Sequence, residues 1–253
     1  FDKILFGDSP FGLSANKKTI NKIKIKHVDN YYKSYYAPSL AEISIVGGIN
    51  KDKIIQKLGF LNSWEIKNVS IPKVFEFPED KETQIYLIDK PGSSQSVIYL
   101  GHKSNKYDAN GEFYKSKIMN YSLGGGASAR LFLNLREDKG YTYGVYSFFT
   151  GDKDKGAFVV FSSVKSEATD SALVEILNEL DMYTSQGIND DELRSTKSSM
   201  LNSDALKYES PMQKLGFLNR ILSYDLDESY ISKQSDILNS ITKNEVNSLS
   251  EKY

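Results

Sequence analysis

The chain has 253 residues, with 32 basic and 33 acidic side chains, so it carries no bulk positive field of the kind that binds nucleic acid or an anionic membrane surface. It has no cysteine, which excludes disulfides, thiolate zinc sites and cysteine nucleophiles together. No apolar run approaches the roughly 18 residues that span a bilayer, while 13 Phe and 17 Tyr in a chain that is 40% hydrophobic suffice for the packed core of a soluble globular protein.

In chain order, residues 1–65 read as one unit. Asp8 to Gly12 (DSPFG) is turn chemistry. Ile20, Ile23, Val28, Tyr31, Tyr32 and Tyr35 predict a helix apolar on one face, stopped by Pro38. Ala41 to Val46 predicts a short buried strand, and Asn50 to Trp64 a closing helix with Asn50 as N-cap. Residues 66–82 are linker-like, with two prolines among charges.

Residues 83–253 open with strands. Thr83 to Gly92 and Gln95 to His102 are β-rich runs around Pro91-Gly92, a hairpin or edge pair. Glu112 to Ser122 predicts a helix ending in Gly124-Gly125-Gly126, where positive φ is easy. Ser128 is placed to cap a next helix with Leu131, Phe132 and Leu135 at helical spacing. The runs YGVYSFFT and GAFVVFSSV flank the polar tip GDKDKG and predict an antiparallel hairpin. From Glu167 onward the chain reads helical, with Leu173, Ile176, Leu177 and Leu180 on one face and capping boxes at Asn189/Glu192 and Thr242/Glu245. Strands first and helices afterwards point to an α+β fold, an antiparallel sheet backed by helices.

An internal echo accompanies this pattern. Ile20 to Tyr36 resembles Leu238 to Tyr253 at a constant offset of 218, aligning Ile20 with Leu238, Ile23 with Ile241, Val28 with Val246 and Tyr35 with Tyr253. The plain alternative is a chance match between two helix starts. As a repeat, it makes residues 1–65 the tail of one module and 83–253 most of a second, so the chain reads as a fragment.

The candidate chemistry narrows quickly. Ala127, Ser128 and Ala129 follow the glycines where a phosphate-binding loop needs Gly-Lys-Ser/Thr, and no βαβ unit follows. Only two histidines occur, His27 and His102, outside any zinc-binding spacing; both read as structural. Ser128 lacks the trailing glycine of a nucleophile elbow. That leaves LREDKGYTYGVYS, where Arg136 ends a helix and Tyr143 starts a strand, with Gly140 turning the chain between them. Guanidinium and phenol could both donate hydrogen bonds to a substrate carbonyl or its oxyanion. The plainer reading is an arginine favouring a helix C-terminus and a tyrosine packed on the sheet.

The run LGGGASARLFLNLREDKGYTYGVYS resembles the second-domain signature of the insulinase/pitrilysin-type zinc peptidases (inverzincins), in the bacterial branch similar to mitochondrial processing peptidase. SPFG, HVDNYYKSYYAP followed by ISIVGG, and GINDDEL occur in the family's order, so the resemblance covers essentially the whole chain. It implies a zinc metallopeptidase built of homologous α+β modules, whose H-x-x-E-H zinc helix belongs to a first module and is absent here. It also implies a chain inactive alone and holding no metal, with zinc expected in the parent or a partner. By the same resemblance Arg136 and Tyr143 support the substrate or tetrahedral intermediate in a shared site of metal-assisted peptide hydrolysis, Gly124, Gly125 and Gly126 form a substrate-binding loop, and Arg130 is structural. The implied partners are a peptide or unfolded polypeptide and another peptidase module or subunit carrying zinc. The alternative is a non-catalytic scaffold or peptide-binding subunit whose parent also lacks zinc ligands.

Overall fold

A computed structural model of the chain describes residues 1–71, 75–79, 82–206 and 208–253. Residues 72–74, 80 and 81 of the expected linker, and residue 207 of the expected helical run, lie outside the described residues. In chain order the elements are α1 (Asp2–Phe6), α2 (Lys17–Ile20), α3 (Ile25–Tyr35), α4 (Lys51–Lys57), β1 (Gln95–Ser104), α5 (Glu112–Gly124), α6 (Arg130–Phe132), β2 (Thr142–Gly151), β3 (Gly156–Lys165), α7 (Thr169–Gln186), α8 (Asp190–Leu206), α9 (Pro211–Tyr224), α10 (Tyr230–Ser240) and α11 (Lys243–Lys252). They divide into two compact units: one of Phe1, Glu79–Ala205 and Asp227–Tyr253, the other of Asp2–Pro78 and Leu206–Leu226.

The first unit is the α+β layer. β1 and β2 flank β3 in an antiparallel sheet of order β1-β3-β2. The expected hairpin forms with Gly151 opposite Gly156, because the charged tip supplies the turn and the aromatic and β-branched runs supply the ladder. One face of the sheet packs on the helices through Val145, Phe149, Phe158, Val160 and Val164. They meet Ile118, Leu131, Leu135, Ala172, Ile176, Leu238 and Val246, all 1% exposed or less. α7 presents Ala172, Ile176 and Tyr183 to this core, whereas the expected Leu177 is solvent-facing. Both predicted capping boxes form: Asn189 Oδ1 accepts from Glu192 N at 2.9 Å, and Thr242 Oγ1 from Glu245 N at 3.3 Å.

The second unit is sparsely packed. Asn50 caps α4 by accepting from Lys53 N at 3.1 Å, as its position predicted. The single helix expected over Ile20 to Tyr35 is instead broken into α2 and α3, because Lys24 takes an extended N-cap conformation. Two predicted strands are not formed. Ala41 to Val46 is neither paired nor buried, and Thr83 to Gly92, in the first unit, makes no ladder and leaves Ile85 and Leu87 84% and 89% exposed. A strand is stabilised by its neighbour's backbone groups and cross-strand side chains, and neither run has such a neighbour among the described residues.

Candidate functional site

The residues around the glycine run and the Arg136–Tyr143 turn are set by three local devices. The first is a close approach. α5 ends at Gly124, and a Cβ there would stand 2.2 Å from Ser147 Oγ and 2.5 Å from its backbone nitrogen. Glycine is therefore required by contact with β2 and not, as expected, by positive φ, which none of Gly124, Gly125 and Gly126 adopts. Gly125 is held against Tyr121 on its own helix, while Gly126 faces open space. Asn120 locks the approach from one turn back: its Nδ2 donates to Ser147 O at 2.7 Å, and Ser147 Oγ donates to Asn120 Oδ1 at 2.5 Å. Ser128 makes no cap. The N-cap position of α6 is Ala129, because the chain after the glycines turns one residue later than the spacing suggested.

The second device is a π-helical turn over Leu133–Asp138 that carries Arg136. π-Turns are rare and concentrate at functional sites because they widen the ladder and re-aim one side chain. This one keeps Leu135 fully buried while Arg136 turns outward, and Gly140 at φ 64° then reverses the chain as predicted. The third device is a β-bulge between Thr142 and Val145. Thr142 Oγ1 donates to Ser163 O at 2.6 Å and accepts from Gly144 N at 3.1 Å, and Ser162 Oγ donates to Gly144 O at 3.0 Å. The bulge turns Tyr143 into solvent, where it is 85% exposed.

Turn and bulge bring Arg136 and Tyr143 together. Arg136 Nη1 donates to Tyr143 O at 3.0 Å, and the guanidinium lies 4.9 Å from the Phe132 ring centroid. The guanidinium is seated on a ring, tied through Nη1 and paired through Nε with Glu137 Oε1 at 3.4 Å, and it keeps further N–H donors for a carbonyl or carboxylate, to which the exposed Tyr143 phenol adds another. The glycine run meets β2 at Ser147, about 13 Å along the strand from Tyr143. Tyr143 and that contact thus lie on the same strand. The hydroxyls of Thr142 and Ser162 and the Asn120–Ser147 pair were not legible from sequence, since no spacing marks a bulge clamp.

Arg130 is structural, as the resemblance implied. Its Nε and Nη2 donate to the two carboxylate oxygens of Glu192 at 2.6 and 2.7 Å, Nη2 also donates to Gly187 O at 2.8 Å, and its guanidinium lies 4.9 Å from the Tyr183 ring centroid. The Glu192 hydrogen bond raises the Arg130 pKa above its ordinary value despite burial. Burial pushes the Glu192 carboxyl up, but the Arg130 hydrogen bond, the Asn189 N–H and the Arg130 charge outweigh it and leave it below the usual carboxylate range. Tyr183, raised by burial, donates to Met119 O at 2.5 Å and pairs with Ser122 Oγ at 2.8 Å. The network thus fixes the last turn of α5 before the glycines.

His27 and His102 are both engaged locally. His27 Nδ1 accepts from Lys24 N at 3.2 Å, and the His102 ring nitrogens face the carbonyls of Lys103 and Tyr253 at 2.8 and 2.7 Å. Among the described residues no group of three His, Asp or Glu side chains could hold a metal ion, and no helix is long and apolar enough to cross a membrane.

Three kinds of comparison bear on this geometry. A family model described as the peptidase M16 inactive domain matches residues 22–200. Among curated proteins, the chain is 27% identical over 217 residues to the uncharacterized zinc protease YmxG of Bacillus subtilis, covering 84% of this chain and 51% of that protein. It is 25% identical to an uncharacterized zinc protease of Streptomyces coelicolor, covering 83% and 47%, and 24% identical to the non-peptidase homolog YmxG of Helicobacter pylori, covering 83% and 49%. The chain therefore spans about half the length of these curated relatives. Among solved structures, the peptidase M16 inactive domain from Pseudomonas fluorescens superposes with a TM-score of 0.86 at 24% identity, covering 99% of this chain and 60% of that one. A protease from Helicobacter pylori also gives 0.86, at 17% identity, covering 98% and 61%.

Proposed function

The chain belongs to the peptidase M16 inactive-domain family, and from that premise we propose that it supports peptide substrates at a zinc site carried by another module or subunit. The observation that carries this reading is the paired distortion, a π-turn under Arg136 and a bulge under Tyr143, which leaves both donor-bearing side chains exposed while Arg136 is tied to the Tyr143 main chain. In this reading the guanidinium and phenol hold the carbonyl of an extended polypeptide and the charge that develops on its oxygen. Gly124, Gly125 and Gly126 form the wall against which the peptide main chain lies, the side-chain position of Gly126 opening onto space with nothing within 4 Å.

The described residues of this chain do not fit zinc. The described carboxylates and imidazoles do not converge, and His27 Nδ1 and both ring nitrogens of His102 face backbone groups. In this reading zinc is held by the remainder of the parent protein or by a partner, consistent with the relatives' names as zinc proteases. In the same reading residues 1–65 close a first module, 66–82 link, and 83–253 form most of a second.

A non-catalytic peptide-binding or scaffold subunit is the second reading. It is favoured by the Helicobacter pylori relative, whose name describes it as a non-peptidase homolog. The two separate on Arg136→Ala in the full gene product. A drop of roughly tenfold or more in peptide cleavage, with folding intact, supports the first, since single oxyanion donors are worth at least that much. Cleavage at the parental rate removes it, and peptide binding without any cleavage by the parental protein supports the second.

A further inference from the structure

A π-turn is rare because its hydrogen-bonded ring is one residue wider than that of an α-helix, so one that persists is held by contacts beyond its own backbone. Here Lys139 N closes the wide ring by donating to Asn134 O at 2.9 Å, and the next bond, Tyr141 N to Leu135 O at 2.9 Å, leads the chain toward β2. Asn134 is also the residue of the turn whose side chain is hydrogen-bonded to another helix. Its Nδ2 donates to Glu175 Oε2 at 3.0 Å and to Glu179 Oε1 at 2.8 Å. Glu175 and Glu179 stand one turn apart on α7, so their carboxylates lie on one face. α7 is itself fixed in the core by Ala172, Ile176 and Tyr183. Three successive residues of the turn thus point three ways: Asn134 to α7, Leu135 into the core, and Arg136 outward against the Phe132 ring. With its carbonyl in the wide ring and its amide on α7, Asn134 is tied at both ends, and the rotation of the turn is fixed with it.

The plain alternative is that Asn134 only fastens the turn to α7 for stability. Its amide oxygen argues otherwise, because Oδ1 is buried without a hydrogen-bond partner among the described residues. An orphaned buried acceptor weakens a fold, and a wholly apolar contact between the turn and α7 would avoid it. What an apolar contact lacks is direction: burial is not oriented, whereas two N–H donors set on two carboxylates are. We infer that Asn134 is the positioning residue of this site: its side-chain amide, held by Glu175 and Glu179, sets the rotation of the π-turn and through it the direction of the Arg136 guanidinium. The inference rests on the substrate-support reading proposed above and deepens it by naming the residues that stand behind the arginine.

The chain has only Arg130, Arg136, Arg194 and Arg220 as arginines, so their side-chain Nε–H signals separate in a nitrogen–proton NMR spectrum, and Arg136→Lys identifies the one that disappears. The Phe132 ring, 4.9 Å from the guanidinium, shifts that signal away from its position in the urea-unfolded chain. In Asn134→Leu, which keeps the volume and removes both donors, the Arg136 signal is expected to move toward the unfolded position while the backbone amides of β1 and β3 stay in place. Glu179→Met is expected to move it the same way. Glu179→Gln, whose amide oxygen can still accept from Asn134 Nδ2, is expected to leave it near the parent's. An Arg136 signal unmoved in both Asn134→Leu and Glu179→Met overturns the inference, whatever the chain does to a peptide. In the full gene product, a kcat/KM cycle reads the same coupling. Asn134→Leu is expected to lose roughly fivefold or more in the parental background and to stay within about twofold in the Arg136→Ala background, where nothing is left to position. Equal losses in both backgrounds mark a merely structural role and overturn the inference, as does no loss from Asn134→Leu where Arg136→Ala loses activity. If Arg136→Ala itself loses none, the substrate reading falls, and the Nε–H signal still decides whether Asn134 orients the arginine.

Discussion

Replacing Arg130 by methionine tests whether the network beneath the glycine run is structural. The substitution keeps the apolar stem over Tyr183 and removes the guanidinium. Glu192, whose side chain is 22% exposed, then loses both charged hydrogen bonds, and Gly187 O loses its donor. The carboxylate keeps only the Asn189 N–H at 2.8 Å. Stranding a half-buried charge in this way costs about 3 kcal/mol, or about 6–12 °C in melting temperature for a domain of this size. The depressed Glu192 pKa sets the pH dependence. A carboxyl whose folded pKa lies below its unfolded value of 4.5 adds stability above that value and loses it as pH falls through the folded pKa. The difference between parent and Arg130→Met in urea unfolding should therefore be full at pH 7 and shrink below about pH 4.5. A Glu192→Gln partner closes a double-mutant cycle, with an expected coupling of at least about 1 kcal/mol. An unchanged melting temperature for Arg130→Met, or a difference independent of pH, would refute the reasoning.

Gly124→Ala and Gly126→Ala should part company. The first forces a Cβ into Ser147 and should cost about 1–3 kcal/mol in urea unfolding, while the second enters open space and should stay within about 0.5 kcal/mol. Asn120→Ala strands the buried Ser147 hydroxyl and carbonyl and should cost about 2 kcal/mol by the same measurement. Arg136→Ala and Tyr143→Phe, both at exposed positions, should each shift the melting temperature by no more than about 2 °C.

How far the sequence reaches can be judged element by element. The β2–β3 hairpin, the α5 helix, the two capping boxes and Asn50 were legible because each is decided within a few neighbouring residues, by alternation, by a polar tip or by one oxygen at the right spacing. Thr83 to Gly92 and Ala41 to Val46 have equally strong β composition, yet a strand needs a partner, and composition does not say whether one is within reach. The glycine run was located correctly for the wrong reason. What fixes Gly124 is a strand 23 residues downstream, a tertiary contact without local signature. At the candidate site, Arg136 and Tyr143 could be named from the motif. The π-turn and bulge that aim them could not, since both are irregularities of the ladder that a periodic reading averages away.

The central claim is that Arg136 and Tyr143 serve a substrate, and the most direct test is peptide cleavage by the full gene product carrying Arg136→Ala or Tyr143→Phe. The account predicts a loss of roughly tenfold or more in kcat/KM for Arg136→Ala and a smaller loss for Tyr143→Phe, with melting temperatures near the parent's. Parental kcat/KM in both variants, with folding intact, would contradict it.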